Sequence, residues 1–195
     1  MARWRWIFGL LIIVLGAPGP LGAQEPLRAG QWSLALAGGA SASHDFSEID
    51  LDVIYGYQLL PHVGYVVTDE KGSSWRRGNF QLLAEPTLIR LDAEPSATVA
   101  GLSAVGRWLF SGTGVVRPFV EGGFGVLGGQ VDLRETNCDV NFLLQGGAGA
   151  LFFVDRTVAI SLTYRFQHIS NAYRCSQNAG INSSAVVVGV EWFFP

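Results

Sequence analysis

One pattern recurs along this chain and limits what it can fold into. In segment after segment, one register of alternate residues is apolar and the other is small or polar. Successive side chains of a β-strand point to opposite faces, so a period of two sorts these residues onto two surfaces. Leu51, Val53, Tyr55, Tyr57 and Leu59 alternate with Asp50, Asp52, Ile54, Gly56 and Gln58. Leu102, Ala104, Trp108 and Phe110 alternate with Ser103, Val105 and Arg107. Val186, Val188, Val190, Trp192 and Phe194 leave Glu191 on the opposite face. In a soluble lipocalin-like barrel the apolar face would line a ligand cavity. Here the opposite register carries Asp50, Asp52, Glu85, Arg107, Glu121, Arg165 and Glu191. A wall that is apolar on one side and charged on the other predicts a barrel with its apolar face to lipid and its charges paired in the lumen.

Turn signals divide the chain into eight candidate strands: Trp32–Ser43, Ile49–Leu60, Asn79–Leu91, Thr98–Phe110, Val116–Leu127, Val140–Val154, Thr157–Ser170 and Ser184–Phe194. Most have the length a tilted strand needs to cross a bilayer. Trp and Tyr near the strand ends suit interfacial girdles. The connections after the fourth and sixth strands are short, and those after the third, fifth and seventh are read as longer and polar. Such alternation is expected of periplasmic turns and external loops. The segment from Asp69 to Gly78 is either a long turn or an extension of its flanking strands. The reading is all-β: an eight-stranded antiparallel transmembrane β-barrel.

The start of the chain points to export. Arg3 and Arg5 precede an apolar run from Trp6 to Leu15, too short to span a bilayer, and small residues follow up to Ala23. Residues 1–23 are therefore expected to be a cleaved signal peptide and residues 24–195 the barrel domain. Loss of two arginines makes the mature chain more acidic than the net charge of −3 of the whole. Nothing basic enough for nucleic acid remains, and no later run is apolar enough for a transmembrane helix.

His168 and Ser170 share the outward face at the end of the seventh strand. They interrupt a register that otherwise reads Val158, Ile160, Leu162, Tyr164 and Phe166. An imidazole beside a hydroxyl can take its proton and make it a nucleophile. On this wall the substrate would be a lipid. His44 and His62 are read as loop or turn residues. Three dispersed histidines give no metal spacing, and no cofactor is implied. Gly123-x-Gly125-x-x-Gly128 has the letters of a dinucleotide fingerprint but no helix after it, so it is read as strand packing.

The run QHISNAYRCSQNAGINS, residues 167–183, resembles the signature of the lipid A 3-O-deacylase family: His-x-Ser-Asn, then an Asn-x-Gly-x turn before the last strand. VVRPFVEGGFGV, residues 115–126, is similar to that family's fifth strand. The resemblance implies an eight-stranded barrel in the outer membrane of a Gram-negative bacterium. It implies an esterase that removes the 3-O-linked acyl chain of lipid A, with lipopolysaccharide as substrate and outer-membrane lipid around it. It leaves open a homodimer. Ser170 would be the nucleophile and His168 the general base. Backbone N–H groups near Asn171 and Tyr173, with the Asn178 side chain, would form the oxyanion hole. A member of that family has a glycine where Tyr173 stands.

The family also has a glutamate where this chain has Asn182. Either Asn182 orients His168, or a loop carboxylate such as Asp45 or Asp139 replaces the glutamate, or activity is lost. A non-catalytic barrel and a lipid A acyltransferase are the rival functions. Finally, Cys138 and Cys175 lie in connections on the same external side of such a barrel. In an oxidising compartment they are expected to form a disulfide.

Overall fold

The computed structural model describes residues 27–44, 52–112 and 114–195. The proposed signal peptide, Asp45 and Asp50 lie outside them. The strands are β1 (Trp32–His44), β2 (Tyr55–Leu59), β3 (His62–Val66), β4 (Gly78–Asp92), β5 (Ala97–Phe110), β6 (Val116–Gly128), β7 (Val140–Phe153), β8 (Val158–Ser170) and β9 (Ile181–Phe194). Each pairs antiparallel with its neighbours, and β1 pairs with β9 to close the sheet. β2 and β3 both lie between β1 and β4, so they are two halves of one ribbon. The break falls at Leu60 and Pro61, where proline has no N–H for the ladder. The result is a closed barrel of eight ribbons, which leaves no sheet edge for lipid to meet.

Alternation decides what faces where. Leu102, Phe124, Leu144, Tyr164 and Val186 are more than half exposed on the outer wall. Their neighbours Ser103, Gly123, Leu143, Arg165 and Ala185 point into the lumen. Gly123 has no side chain because a Cβ there would come within 2.4 Å of the Ala104 carbonyl oxygen. That is packing, not nucleotide binding.

The lumen is filled in layers. Toward the external end lie Ile89, Leu91, Val99, Leu127, Leu143, Ile169 and Ile181, with Val131 and Leu133 of the 129–139 connection. Toward the periplasmic end lie Leu27, Val66, Leu109, Phe119, Leu151, Phe153 and Phe193. Between them is an ionic layer. Arg165 grips Glu85 through two bonds, 2.8 and 2.9 Å, and also bonds Glu121. Arg107 Nε donates to Glu121 at 2.9 Å and Nη1 to Glu191 at 3.0 Å. A charge removed from water costs several kcal/mol unless paired and hydrogen-bonded, and this arrangement supplies both.

Four expectations need correction. The second ribbon runs past Pro61 to Val66, and the alternation runs unbroken through it. His62 is therefore a strand residue, 3% exposed, with Nδ1 3.9 Å from Glu85 and Nε2 3.8 Å from Glu191. His44 is also no loop residue but the last position of β1. Asp52 lies ahead of the strand and is exposed, so it is not part of the ionic layer. The connection after β4, residues 93–96, is short, whereas 67–77 is long. The latter turn holds a 3₁₀ segment, Ser74–Arg76, and a bridge between Lys71 and Gly78.

Candidate active site

β8 ends on His168 and Ser170, and β9 begins opposite them. His168 and Asn182 are direct cross-strand partners, so their side chains leave the same face at the same height. His168 Nδ1 lies 2.7 Å from Asn182 Oδ1. A carbonyl oxygen only accepts, so Nδ1 carries the proton and Nε2 is the bare, basic nitrogen. The third position of the sequence signature is thus held by an amide against the ring. Asp139 is exposed at the end of its connection and bonds elsewhere through its carbonyl.

Ser170 is half-buried at the outer end of the same face, one alternation step beyond His168, about 7 Å along the strand. Among the described residues, no hydrogen bond joins Ser170 to His168. Catalytic hydrogen bonds are often long before substrate binds. The ring is confined from the other side by Gly180, whose φ is +78°. This residue belongs to the Asn-x-Gly-x turn, and its role against the ring is legible only in three dimensions.

The connection 171–180 is tightly held. Cys138 and Cys175 are joined by a disulfide, Cα–Cα 5.7 Å. Asn171 is fully buried. Its Nδ2 donates to Thr136 Oγ1 at 3.0 Å and to the Gln177 carbonyl. Thr136 in turn donates to Asn141 Oδ1 at 2.8 Å. The Asn171 backbone N–H donates to Asn178 Oδ1 at 2.8 Å. Two groups expected to bind an oxyanion therefore bond each other, and the Asn171 N–H is engaged inside the loop. The donor capacity left to Asn178 is at its Nδ2.

Asn171 to Arg174 form a tight turn closed by the Arg174 N–H on the Asn171 carbonyl at 3.1 Å. Its central residues, Ala172 and Tyr173, both have positive φ, 52° and 62°. Each carries a cost of about 1–2 kcal/mol that glycine would avoid. Tyr173 is 88% exposed, so no packing of its ring explains its presence. The backbone here holds a conformation that suits glycine, with alanine and tyrosine in place.

A second polar group on this wall was not legible as a site. Ser184, His44 and Tyr164 come from β9, β1 and β8. They meet because the register brings three strands together. Their only local signal is that each sits in an apolar, outward register.

Comparison with known proteins fits this architecture. The family model described as "Lipid A 3-O-deacylase (PagL)" matches residues 53–191. No curated protein matches the sequence. Among solved structures, the outer membrane enzyme PagL is similar at 20% identity and a TM-score of 0.58, over 80% of this chain and 97% of that one. Neisserial surface protein A (NspA) is similar at 19% identity and a TM-score of 0.61, over 85% of this chain and 98% of that one. At such identities these two likenesses speak for the fold alone, and both are outer-membrane barrels. The family model reaches from the second ribbon to the last strand and includes His168, Ser170 and Asn182. On that match, the chain belongs to the lipid A 3-O-deacylase (PagL) family of the Gram-negative outer membrane.

Proposed function

We propose that this barrel is an esterase that removes the 3-O-linked acyl chain of lipid A, with Ser170 as nucleophile and His168 as general base. The observation that carries the reading is the 2.7 Å bond from His168 Nδ1 to Asn182 Oδ1. It fixes the tautomer in which Nε2 can take the serine proton. Ser170 Oγ attacks the ester carbonyl as His168 Nε2 takes its proton. His168 returns the proton to the departing sugar oxygen, and water then releases the hydroxy fatty acid. The site faces lipid at the external end of the wall, where an outer-leaflet glycolipid has its ester bonds.

Asn182 orients the ring but contributes no charge to the imidazolium that forms. The reading is therefore of an enzyme slower than one with a carboxylate at this position. Asn178 Nδ2 and the Tyr173 N–H are the donors left for the oxyanion. Such a donor is worth about 3 kcal/mol when aimed at the developing charge.

The test is mass spectrometry of lipid A from an outer membrane with and without the protein. A loss of one 3-O-linked hydroxyacyl chain is expected, and Ser170→Ala and His168→Ala should each abolish it in a folded barrel. Recovery of that chain as a new ester would instead identify an acyltransferase. Unchanged lipid A with wild-type protein would leave a non-catalytic barrel.

A further inference from the structure

One row deeper in the membrane than His168 and Asn182, the same wall holds a second imidazole against a serine. Ser184 Oγ lies 2.7 Å from His44 Nε2 and 2.6 Å from Tyr164 Oη. The register explains the meeting. Asn182 is the cross-strand partner of His44 on one side and of His168 on the other. Two imidazoles thus flank one amide at the same height. Ser184, two residues along β9, has the small Ala42 as its partner on β1, so the His44 ring can turn down onto its hydroxyl. Tyr164 reaches it from the row below on β8.

The three groups make an ordered chain. A phenol donates a hydrogen bond more readily than an aliphatic hydroxyl. Tyr164 then donates to Ser184 Oγ, and Ser184 donates to His44 Nε2. Around them the outer wall is apolar: Leu162, Val186 and Val188 are each about half exposed to lipid. Buried polar triples of this kind are common in cores, but a membrane-facing wall has no core for them to stabilise. Polar and ionisable side chains on such a wall are costly and mark function.

We propose that Ser184 is a second nucleophile, with His44 as its base and Tyr164 as the residue that positions its hydroxyl. Its substrates are acyl esters of membrane amphiphiles in the outer leaflet. Ser184 Oγ bonds to the ester carbonyl carbon while its proton passes to His44 Nε2. The carbon–oxygen bond to the alcohol then breaks, and His44 gives that oxygen the proton. Water adds to the acyl-serine with His44 as base, and the fatty acid leaves as Ser184 regains its proton. No atom of the Ser170 site takes part, so the inference stands apart from the reading above.

The experiment uses the folded full barrel in detergent and a long-chain alkyl fluorophosphonate. Serine oxygen replaces fluoride at phosphorus, and peptide mapping locates the adduct. Wild-type protein is expected to carry an adduct on Ser184, and Ser170→Ala should keep it. In the Ser170→Ala background, His44→Ala should slow labelling about a hundredfold. Tyr164→Phe should slow it less, about tenfold, because the phenol positions Ser184 Oγ and takes no proton. Heat-modifiable migration on gels confirms that each barrel is folded. Absence of a Ser184 adduct in the folded wild-type and Ser170→Ala barrels would overturn the proposal. So would a Ser184 adduct that forms at the same rate without His44. Failure of the Ser170 reading is seen separately, in a Ser184→Ala background, as lipid A deacylation that survives Ser170→Ala.

Discussion

The imidazole of His168 rests against the backbone of Gly180. A Cβ built on Gly180 would come within 2.7 Å of Cε1 and 3.4 Å of Nε2. The nitrogen proposed to take the serine proton is thus placed from two sides: Asn182 holds Nδ1, and Gly180 limits where the Nε2 edge can go.

Gly180→Ala is expected to cut deacylation about a hundredfold, the scale on which a displacement of about 1 Å at a reacting group acts. The added methyl also meets a backbone at positive φ. Barrel folding, read by heat-modifiable migration, should persist, because the change lies at the outer rim. Full activity in this variant would show that the ring is not used where it stands.

Asn182→Glu should raise the turnover number by about tenfold or more, since a carboxylate stabilises the imidazolium of the transition state and an amide does not. Asn182→Ala should lower it, because the ring loses its tautomer-fixing partner. Steady-state kinetics on purified lipopolysaccharide decide the matter. A marked fall for the folded glutamate variant would mean that the amide itself is required.

Cys138 and Cys175 close a loop with a sequence separation of 37. In the chain-entropy model such a link stabilises by about 3–4 kcal/mol. It ties the 129–139 connection to the 171–180 connection, between which Asn171 also bonds Thr136. Cys175→Ser should leave a folded barrel whose 171–180 segment is cut faster by added protease and whose deacylation is reduced. Unchanged protease resistance would place the constraint in the hydrogen bonds alone.

Arg165 holds Glu85 and Glu121 in the lumen, and all three are buried. Arg165→Ala takes from Glu85 its guanidinium partner and leaves Glu121 with Arg107 alone, and should destabilise the barrel by about 3–5 kcal/mol. Urea unfolding in lipid vesicles measures this. A Glu85→Gln variant should cost less, since the amide still accepts a bond from Arg165. With apolar layers on both sides of the ionic one, wild-type protein should add no steady conductance to a planar bilayer.

Much of this barrel can be read from residue order alone, because alternation needs no partner to be meaningful. An apolar side chain prefers lipid and a charged one prefers a paired lumen, so each strand's two faces are fixed before any strand finds its neighbour. Glu85, Arg107, Glu121, Arg165 and Glu191 are all inside for that reason. His168 and Ser170 share a face because they are two residues apart on one strand. What the order of residues leaves open is register, which depends on how a closed sheet of eight ribbons fits together. Barrel closure brings His44, at the end of the first strand, level with Asn182 at the start of the last. It carries the second ribbon through Pro61 and puts His62, read from the sequence as a loop or turn residue, in the lumen. Within the 171–180 connection the Asn171 N–H bonds Asn178, although the family resemblance implies both as oxyanion donors. His44 and Asn182, and His62 and Glu191, are far apart in the chain, and only the tertiary structure brings them together.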